Sequence, residues 1–148
     1  METVIADAGP LVAYLKRDDK DHVWAKEVFQ RLTTRLLTCD APLGEAFFLL
    51  QQTHGGTGQL LELLEKGLVV PAFDLVAELP AVGELLRKYE SVPMSLADAC
   101  LVRVAELHRD AVVFTLDGDF RIYRKHRRHA IPLICPEWQN IGSGRTHC

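Results

Sequence analysis

Residues Thr3–Leu15 read TVIADAGPLVAYL, and this stretch decides the predicted fold. Its first apolar run, Val4-Ile5-Ala6, is short and closed by turn residues, which is typical of a buried strand. Gly9 and Pro10 end that strand, and proline is well placed at the start of a helix. Asp7 is therefore expected at the carboxyl end of a first strand, the edge where ligands bind in open α/β sheets. A charge there is costly unless it has a partner.

The composition is that of an ordinary globular protein. The 148 residues suit one domain, and 25% charged with 48% apolar residues indicate neither disorder nor a membrane protein. A formal charge of −3 excludes a globally basic nucleic-acid binder. No apolar run is long enough to span a bilayer, and acidic Glu2 and Asp7 fall where a signal peptide would be basic and apolar. We expect a cytoplasmic protein with no membrane partner.

The four cysteines, Cys39, Cys100, Cys135 and Cys148, are scattered and form no C-x-x-C pair. The first three lie in apolar segments, where reduced, buried thiols are expected. This spacing does not match known zinc patterns.

Apolar runs alternate with helical patterns along the chain. Strands are predicted at 4–6, 36–39, 68–71, 111–115 and 131–134. Helices are predicted at 22–32, from residue 40 onward, at 59–66, from the cap Ser95 onward and over the basic stretch 121–128. A further helical pattern covers 74–90, where Pro80 either splits the helix or starts a second one. Alternating strands and helices predict an α/β fold, with a parallel sheet flanked by helices. We expect one domain, residues 1–141, and a frayed tail, residues 142–148.

Four acidic residues lie at strand ends or in predicted first helical turns: Asp7, Glu45, Asp98 and Asp117. Taken singly, three of them have ordinary structural explanations, as a capping-box residue, a charge near a helix N-terminus or a turn residue. Carboxylates that converge on one site repel each other, and a divalent cation removes that conflict. Oxygen ligands select Mg²⁺ or Mn²⁺, which activate water and neutralise a phosphodiester. Together the four acids predict a metal-dependent nuclease.

Four motifs carry a family resemblance. They are VIADAGPL at 4–11, GEAF at 44–47, MSLADACL at 94–101 and FTLDGDF at 114–120. In this order and at these intervals they resemble the PIN-domain nucleases, and among these the VapC-like toxin ribonucleases. The resemblance covers nearly the whole chain.

The resemblance implies an acidic quartet of Asp7, Glu45, Asp98 and Asp117. Asp7 and Asp98 would be the direct ligands of Mg²⁺ or Mn²⁺, Thr115 would orient the site, and Asp119 would be an auxiliary acid. The activity implied is hydrolysis of RNA by metal-activated water, leaving a 3′-hydroxyl and a 5′-phosphate. The family also implies a PIN-like fold with a parallel sheet of about five strands flanked by helices on both faces, a homodimer and, for toxins, an antitoxin partner.

One basic cluster follows the acidic turn directly: Arg121, Arg124, Lys125, Arg127 and Arg128. Such a run is compatible with a solvated face. Its functional interpretation is that Arg121, Arg124, Lys125 and Arg128 hold RNA phosphates without reading sequence.

Three alternatives remain open. A receiver-like or aspartyl-phosphate enzyme is disfavoured because position 9 is glycine, where a phosphatase has its second aspartate, and because no acidic pair follows the first strand. A catalytically silent PIN-like module, binding RNA or protein, is compatible with the same motifs. So is an RNA-processing nuclease without an antitoxin.

Overall fold

A five-stranded parallel sheet is built from the apolar runs of the chain. The computed structural model describes residues 2–136. Its main strands are β1 Thr3–Ala6, β2 Leu36–Thr38, β3 Val69–Pro71, β4 Ala111–Phe114 and β7 Leu133–Ile134, and a separate two-stranded ribbon pairs β5 Arg124–Lys125 with β6 His129–Ala130. The helices of this range are α1 Ala8–Leu15, α2 His22–Arg31, α3 Asp40–Leu49, α4 Gly56–Glu65, α5 Leu75–Lys88 and α6 Leu96–Leu107, with a short 3₁₀ helix at Gly118–Arg121.

The sheet order is β3-β2-β1-β4-β7, with every neighbouring pair parallel. The chain moves outward from β1 to β3 and then crosses back to β4 on the other side of β1. Strand order therefore reverses between β1 and β4, and such a switch point opens a crevice at the carboxyl ends of the strands. Ala6 pairs with Phe114, so the residues that follow both strands lie side by side. The prediction of an α/β fold with a parallel sheet of five strands is confirmed.

Each face of the sheet has its own core, because successive side chains of a strand point to opposite faces. Val4 and Ala6 pack into one core together with apolar residues of α1 to α4. Ile5 packs into the other core with residues of α5 and α6. Helices on both faces explain why β1 and β4 read as continuous apolar runs rather than as alternating ones.

Local signals end several helices where the sequence places them. Gly67 adopts a φ of +72°, and its N–H donates to the Leu64 carbonyl at 3.0 Å, while the Leu68 N–H donates to the Leu63 carbonyl at 3.0 Å. These two bonds are a Schellman motif, which favours glycine at this position. At the start of α6, the predicted capping box between Ser95 and Asp98 is present.

Two predicted helical features are wrong. The basic stretch 121–128 forms the end of the 3₁₀ helix and the β5–β6 hairpin, because His126 and Arg127 have φ of +49° and +73°, values a helix excludes. Tertiary contacts hold this turn: Glu106 Oε2 accepts from the His126 N–H at 2.7 Å, and Lys88 Nζ donates to the Arg127 carbonyl at 2.8 Å.

Pro80 neither splits nor starts a helix, since α5 runs unbroken through it. Its missing N–H would have bonded to the carbonyl of Val76, an exposed residue where water can take that place. Packing of Val82 and Leu85 in the core shared with α6 holds the helix together across the proline.

Cys39 and Cys100 are free and buried, as expected. Cys135 is disulfide-bonded, which corrects the expectation of a reduced thiol there, since an apolar neighbourhood does not by itself prevent pairing. Within residues 2–136, no helix is both long and apolar enough to cross a membrane. The expected tail, residues 142–148, lies outside the described residues.

Replacing Pro80 with alanine should stabilise the protein. Alanine restores the hydrogen bond to the Val76 carbonyl and relieves the clash of the ring, while the unfolded chain gains some entropy, so we expect a net gain of about 1–2 kcal/mol in the free energy of unfolding. Urea unfolding measures it. Pro42→Ala is the control, because Pro42 lies in the first turn of α3, where an N–H has no partner within the helix. A midpoint for Pro80→Ala no higher than that of the parent would contradict the prediction.

Candidate functional site

Asp7 anchors the site at the carboxyl end of β1. Its backbone N–H continues the pairing of β1 and β4 by donating to the Phe114 carbonyl at 3.0 Å. Its side chain is 8% exposed and caps α1, where Oδ1 accepts from the Ala8 N–H at 2.7 Å. Oδ2 accepts from the Thr115 hydroxyl at 2.8 Å. Both oxygens of the Asp7 carboxyl group therefore have fixed positions.

The end of β4 lies beside Asp7 and continues into an acidic turn. The Thr115 hydroxyl, which is fully buried, also accepts from the Asp117 N–H at 2.9 Å. Asp117 Oδ1 in turn accepts from the Asp119 N–H at 2.9 Å. A chain of hydrogen bonds thus connects Asp7 through Thr115 to Asp117 and Asp119.

Asp98 is buried in the first turn of α6 and is held by two donors. Its Oδ2 accepts from the Ser95 N–H at 3.2 Å and from the Tyr123 hydroxyl at 2.9 Å. Sequence reasoning found the Ser95 contact through the S-x-x-D pattern. It missed Tyr123, because nothing in the spacing of a buried aromatic residue indicates which partner its hydroxyl meets.

The acidic groups influence one another's ionisation. Burial raises the pKa of Asp7 to about 6, and the charges of Asp98 and Glu45 add to this rise. The hydrogen bonds from Thr115 and Ala8 lower the pKa and so offset part of it. Burial, followed by the charge of Asp117, raises the pKa of Asp98 against the hydrogen bonds from Ser95 and Tyr123. Each of the four predicted acids is thus coupled by charge to at least one of the others, Asp7 to Asp98 and Glu45, and Asp98 to Asp117.

Two features of the acids differ from expectation. Glu45 is the sixth residue of α3 and is exposed, so it lies in the second turn rather than the first. Within residues 2–136, no group of three or more His, Cys, Asp or Glu side chains is arranged to hold a metal ion. The carboxyl groups are coupled by charge, but the structure does not gather them into a set of three ligands.

The basic cluster is only partly exposed. Arg124 Nη1 donates to the carbonyls of Arg121, Ile122 and Tyr123 at 2.6, 3.2 and 3.0 Å, so this guanidinium stabilises the end of the 3₁₀ helix. Arg121 and Lys125 are half-buried, and Arg127 and Arg128 are exposed on the hairpin turn.

A cavity of about 710 Å³ lies apart from the acids, between α5, α6 and the hairpin turn. Arg103 in its wall pairs with Glu78 at 2.6 Å and Glu106 at 3.2 Å. None of the four predicted acids lines this cavity. The candidate site is therefore the crevice at the switch point of the sheet, which the topology selects and where the acids lie.

Fold and site together define a class of α/β proteins that place acidic side chains at the carboxyl ends of a parallel sheet. The sequence pattern of the PIN domain family matches residues 4–126 of this chain. The chain belongs to the PIN domain family, as its motifs predict.

Two similar proteins come from Mycobacterium tuberculosis. Ribonuclease VapC26 is 27% identical over 146 residues, covering 96% of each chain. The crystal structure of VapC20, a sarcin-ricin loop cleaving toxin, superposes with a TM-score of 0.72 at 21% identity, covering 85% of this chain and 100% of that one. The second likeness supports the PIN-like fold.

Replacing Asp7 with asparagine should stabilise the metal-free protein at high pH. The pKa of Asp7 is about 6 in the folded protein against 3.8 ordinarily, so its contribution to stability is fully present below pH 4 and is lost as pH rises through 6. About two pKa units correspond to about 3 kcal/mol, and we expect a gain of about 1–2 kcal/mol because the amide accepts fewer hydrogen bonds.

Urea unfolding in EDTA at pH 4 and pH 8 measures this gain, which should be present at pH 8 and absent at pH 4. Glu65→Gln, which changes an exposed carboxylate at the end of α4, is the control and should show no such difference. An Asp7→Asn variant less stable than the parent at pH 8 would contradict the burial cost assigned to Asp7.

Proposed function

We propose that this protein is an endoribonuclease that depends on Mg²⁺ or Mn²⁺, and that it is the toxin of a toxin-antitoxin pair. The observation that carries the proposal is Asp7, a buried carboxyl group at the switch point whose pKa is raised by burial and by the charges of Asp98 and Glu45. Strongly perturbed acids in a crevice are typical of functional sites. Similarity to ribonuclease VapC26 supports RNA as the substrate.

The donor groups fit a hard cation. Carboxylate oxygens are the ligands that Mg²⁺ and Mn²⁺ prefer, and a cation beside Asp7 and Asp98 would offset their mutual repulsion. Asp7 and Asp98 would be the direct ligands, with Glu45 and Asp117 completing the negative site. When bound, such an ion activates water and neutralises charge that develops on the phosphodiester.

The chain's own residues orient these ligands. The Thr115 hydroxyl donates to Asp7 at 2.8 Å, which favours the charged carboxylate and fixes its rotation. The Ser95 N–H and the Tyr123 hydroxyl do the same for Asp98. Arg127 and Arg128 are exposed on the hairpin turn, which is held by Glu106 near the C-terminal end of α6, and there they would hold RNA phosphates at a distance from the acids.

One observation favours the catalytically silent alternative, since residues 2–136 contain no ready set of three metal ligands. A measurement of metal binding by the folded protein distinguishes the metal-dependent ribonuclease from the catalytically silent module. A ligand that binds only the folded state raises the unfolding midpoint, and Mn²⁺ at about tenfold above its Kd should raise the Tm by about 3–6 °C.

We expect Asp98→Asn to lose this shift and to cut RNA about 100-fold more slowly than the parent, because it removes a direct ligand. Thermal melting with and without Mn²⁺ and cleavage of a labelled RNA measure both effects. Asp74→Asn is the matched control, because Asp74 caps α5 outside the site and asparagine caps a helix equally well. An Asp98→Asn variant that keeps both properties would overturn the proposal.

Charge reversal on the hairpin should weaken RNA binding. In R127E/R128E the affinity should fall about 3–10-fold at moderate salt, and the slope of log K against log[salt] should flatten by about 1–2. Filter binding over a salt series measures both values. K26E/R31E, an equal charge change at exposed positions on α2, is the control. Equal salt slopes in the parent and R127E/R128E would show that the hairpin does not contact RNA phosphates.

The partner proposals rest on the relatives and on one exposed surface. VapC20 is named a toxin, which supports a neutralising antitoxin for this chain. We also propose a homodimer, because Val76 and Leu79 on α5 are 85% and 57% exposed and offer an apolar surface for a second copy to cover. Sedimentation velocity tests this, and Val76→Glu should shift a dimer toward monomer.

A further inference from the structure

Tyr123 lies fully buried between the 3₁₀ helix and β5, and its hydroxyl is 2.9 Å from Asp98 Oδ2. We propose that Tyr123 is a positioning residue that presents Asp98 to the metal ion, an inference that rests on the proposed function. Neither the motifs of the sequence nor the acidic quartet includes this tyrosine.

Two donors to Asp98 converge on the same oxygen. Oδ2 accepts from the Ser95 N–H at 3.2 Å and from the Tyr123 hydroxyl at 2.9 Å, and the Ser95 hydroxyl makes a weaker contribution to the same carboxyl group. The terminal torsion of an aspartate is broad and roughly two-fold, so an unrestrained carboxylate exchanges its two oxygens freely. Two donors on Oδ2 select one orientation and leave Oδ1 for a cation.

The position of the phenol is itself fixed by packing. The Tyr123 ring packs edge-to-face on Phe120, with centroids 5.2 Å apart, and on Tyr89, with centroids 5.3 Å apart. The Tyr89 hydroxyl accepts from the Arg124 N–H at 2.9 Å, which ties the first residue of the hairpin to α5. A donor whose ring is held by these two ring contacts can fix a ligand at a defined orientation.

The hydroxyl has a second acceptor, the Pro93 carbonyl at 3.3 Å. If Tyr123 served only to pack the core, the Pro93 carbonyl would be a sufficient partner, because one acceptor satisfies a buried hydroxyl proton. The shorter contact goes to the charged carboxylate, and hydrogen bonds to charged groups are the stronger ones. By this geometry, Asp98 is the main acceptor of the Tyr123 hydroxyl and the Pro93 carbonyl is the secondary one.

Tyr123→Phe is the test, since it removes the hydroxyl and keeps the ring packing. Partners of metal ligands affect metal affinity by about 10–100-fold, and we expect the Kd for Mn²⁺ to rise about 10-fold, measured by calorimetry on the full chain. Tyr89→Phe is the matched control, because it keeps the ring contact with Tyr123 and removes only a buried hydroxyl that has no contact with Asp98. Its Kd should stay within about twofold of the parent value.

Cleavage kinetics give a second readout. In Tyr123→Phe the rate should fall at low Mn²⁺ and recover at saturating Mn²⁺, with the KM for RNA unchanged, a pattern that lost stability does not produce. Equal Mn²⁺ affinity in the parent and Tyr123→Phe would overturn the role of Tyr123 alone. Equal losses in Tyr123→Phe and Tyr89→Phe would also overturn it, because they would mean general loosening of the hairpin. A parent chain that binds no Mn²⁺ would overturn the proposed function and this inference with it.

Discussion

The hydrogen bond from the Thr115 hydroxyl to the Asp7 carboxylate holds the candidate site together. Pairing of Ala6 with Phe114 brings the ends of β1 and β4 together, and the Asp7 N–H extends that pairing by one residue. The hydroxyl then joins two side chains 108 residues apart in sequence, at 2.8 Å and buried from water. The acidic turn is attached to the same hydroxyl through the Asp117 N–H, so one buried threonine fixes Asp7 and Asp117 relative to each other.

The arrangement has an electrostatic cost that the fold tolerates. Burial disfavours the ionised form of Asp7, and neighbouring acids add to that effect, while hydrogen bonds from Thr115 and Ala8 only partly offset it. Asp98 is under the same constraint, with Asp117 as the neighbouring charge. Natural proteins keep such unfavourable groups where function requires them, which is why active sites are often the least stable part of a structure. Asp7 caps α1 and Asp98 completes the capping box of α6, but neither local role requires the two carboxyl groups to lie where they repel each other.

Short-range patterns predicted much of this structure, and long-range contacts decided the rest. The strand before Asp7, the capping box of Ser95 and Asp98, and the end of α4 at Gly67 all depend on neighbours within a few residues. The hairpin that replaces the predicted basic helix depends on Glu106 and Lys88, which are distant in sequence. Helical periodicity cannot register such contacts. The same limit hid the contact of Tyr123 with Asp98. The second-turn position of Glu45, in contrast, follows from counting residues from the start of α3 at Asp40.

The separation of Asp7 from its partners has a consequence during biosynthesis. The first strand leaves the ribosome early, yet the threonine that orients its carboxylate comes 108 positions later, and the tyrosine that contacts Asp98 follows that threonine. A nascent or truncated chain that stops before this point contains most of the helices but no complete centre. Any cleavage of RNA by this protein would thus begin only after nearly the whole polypeptide has been translated and folded.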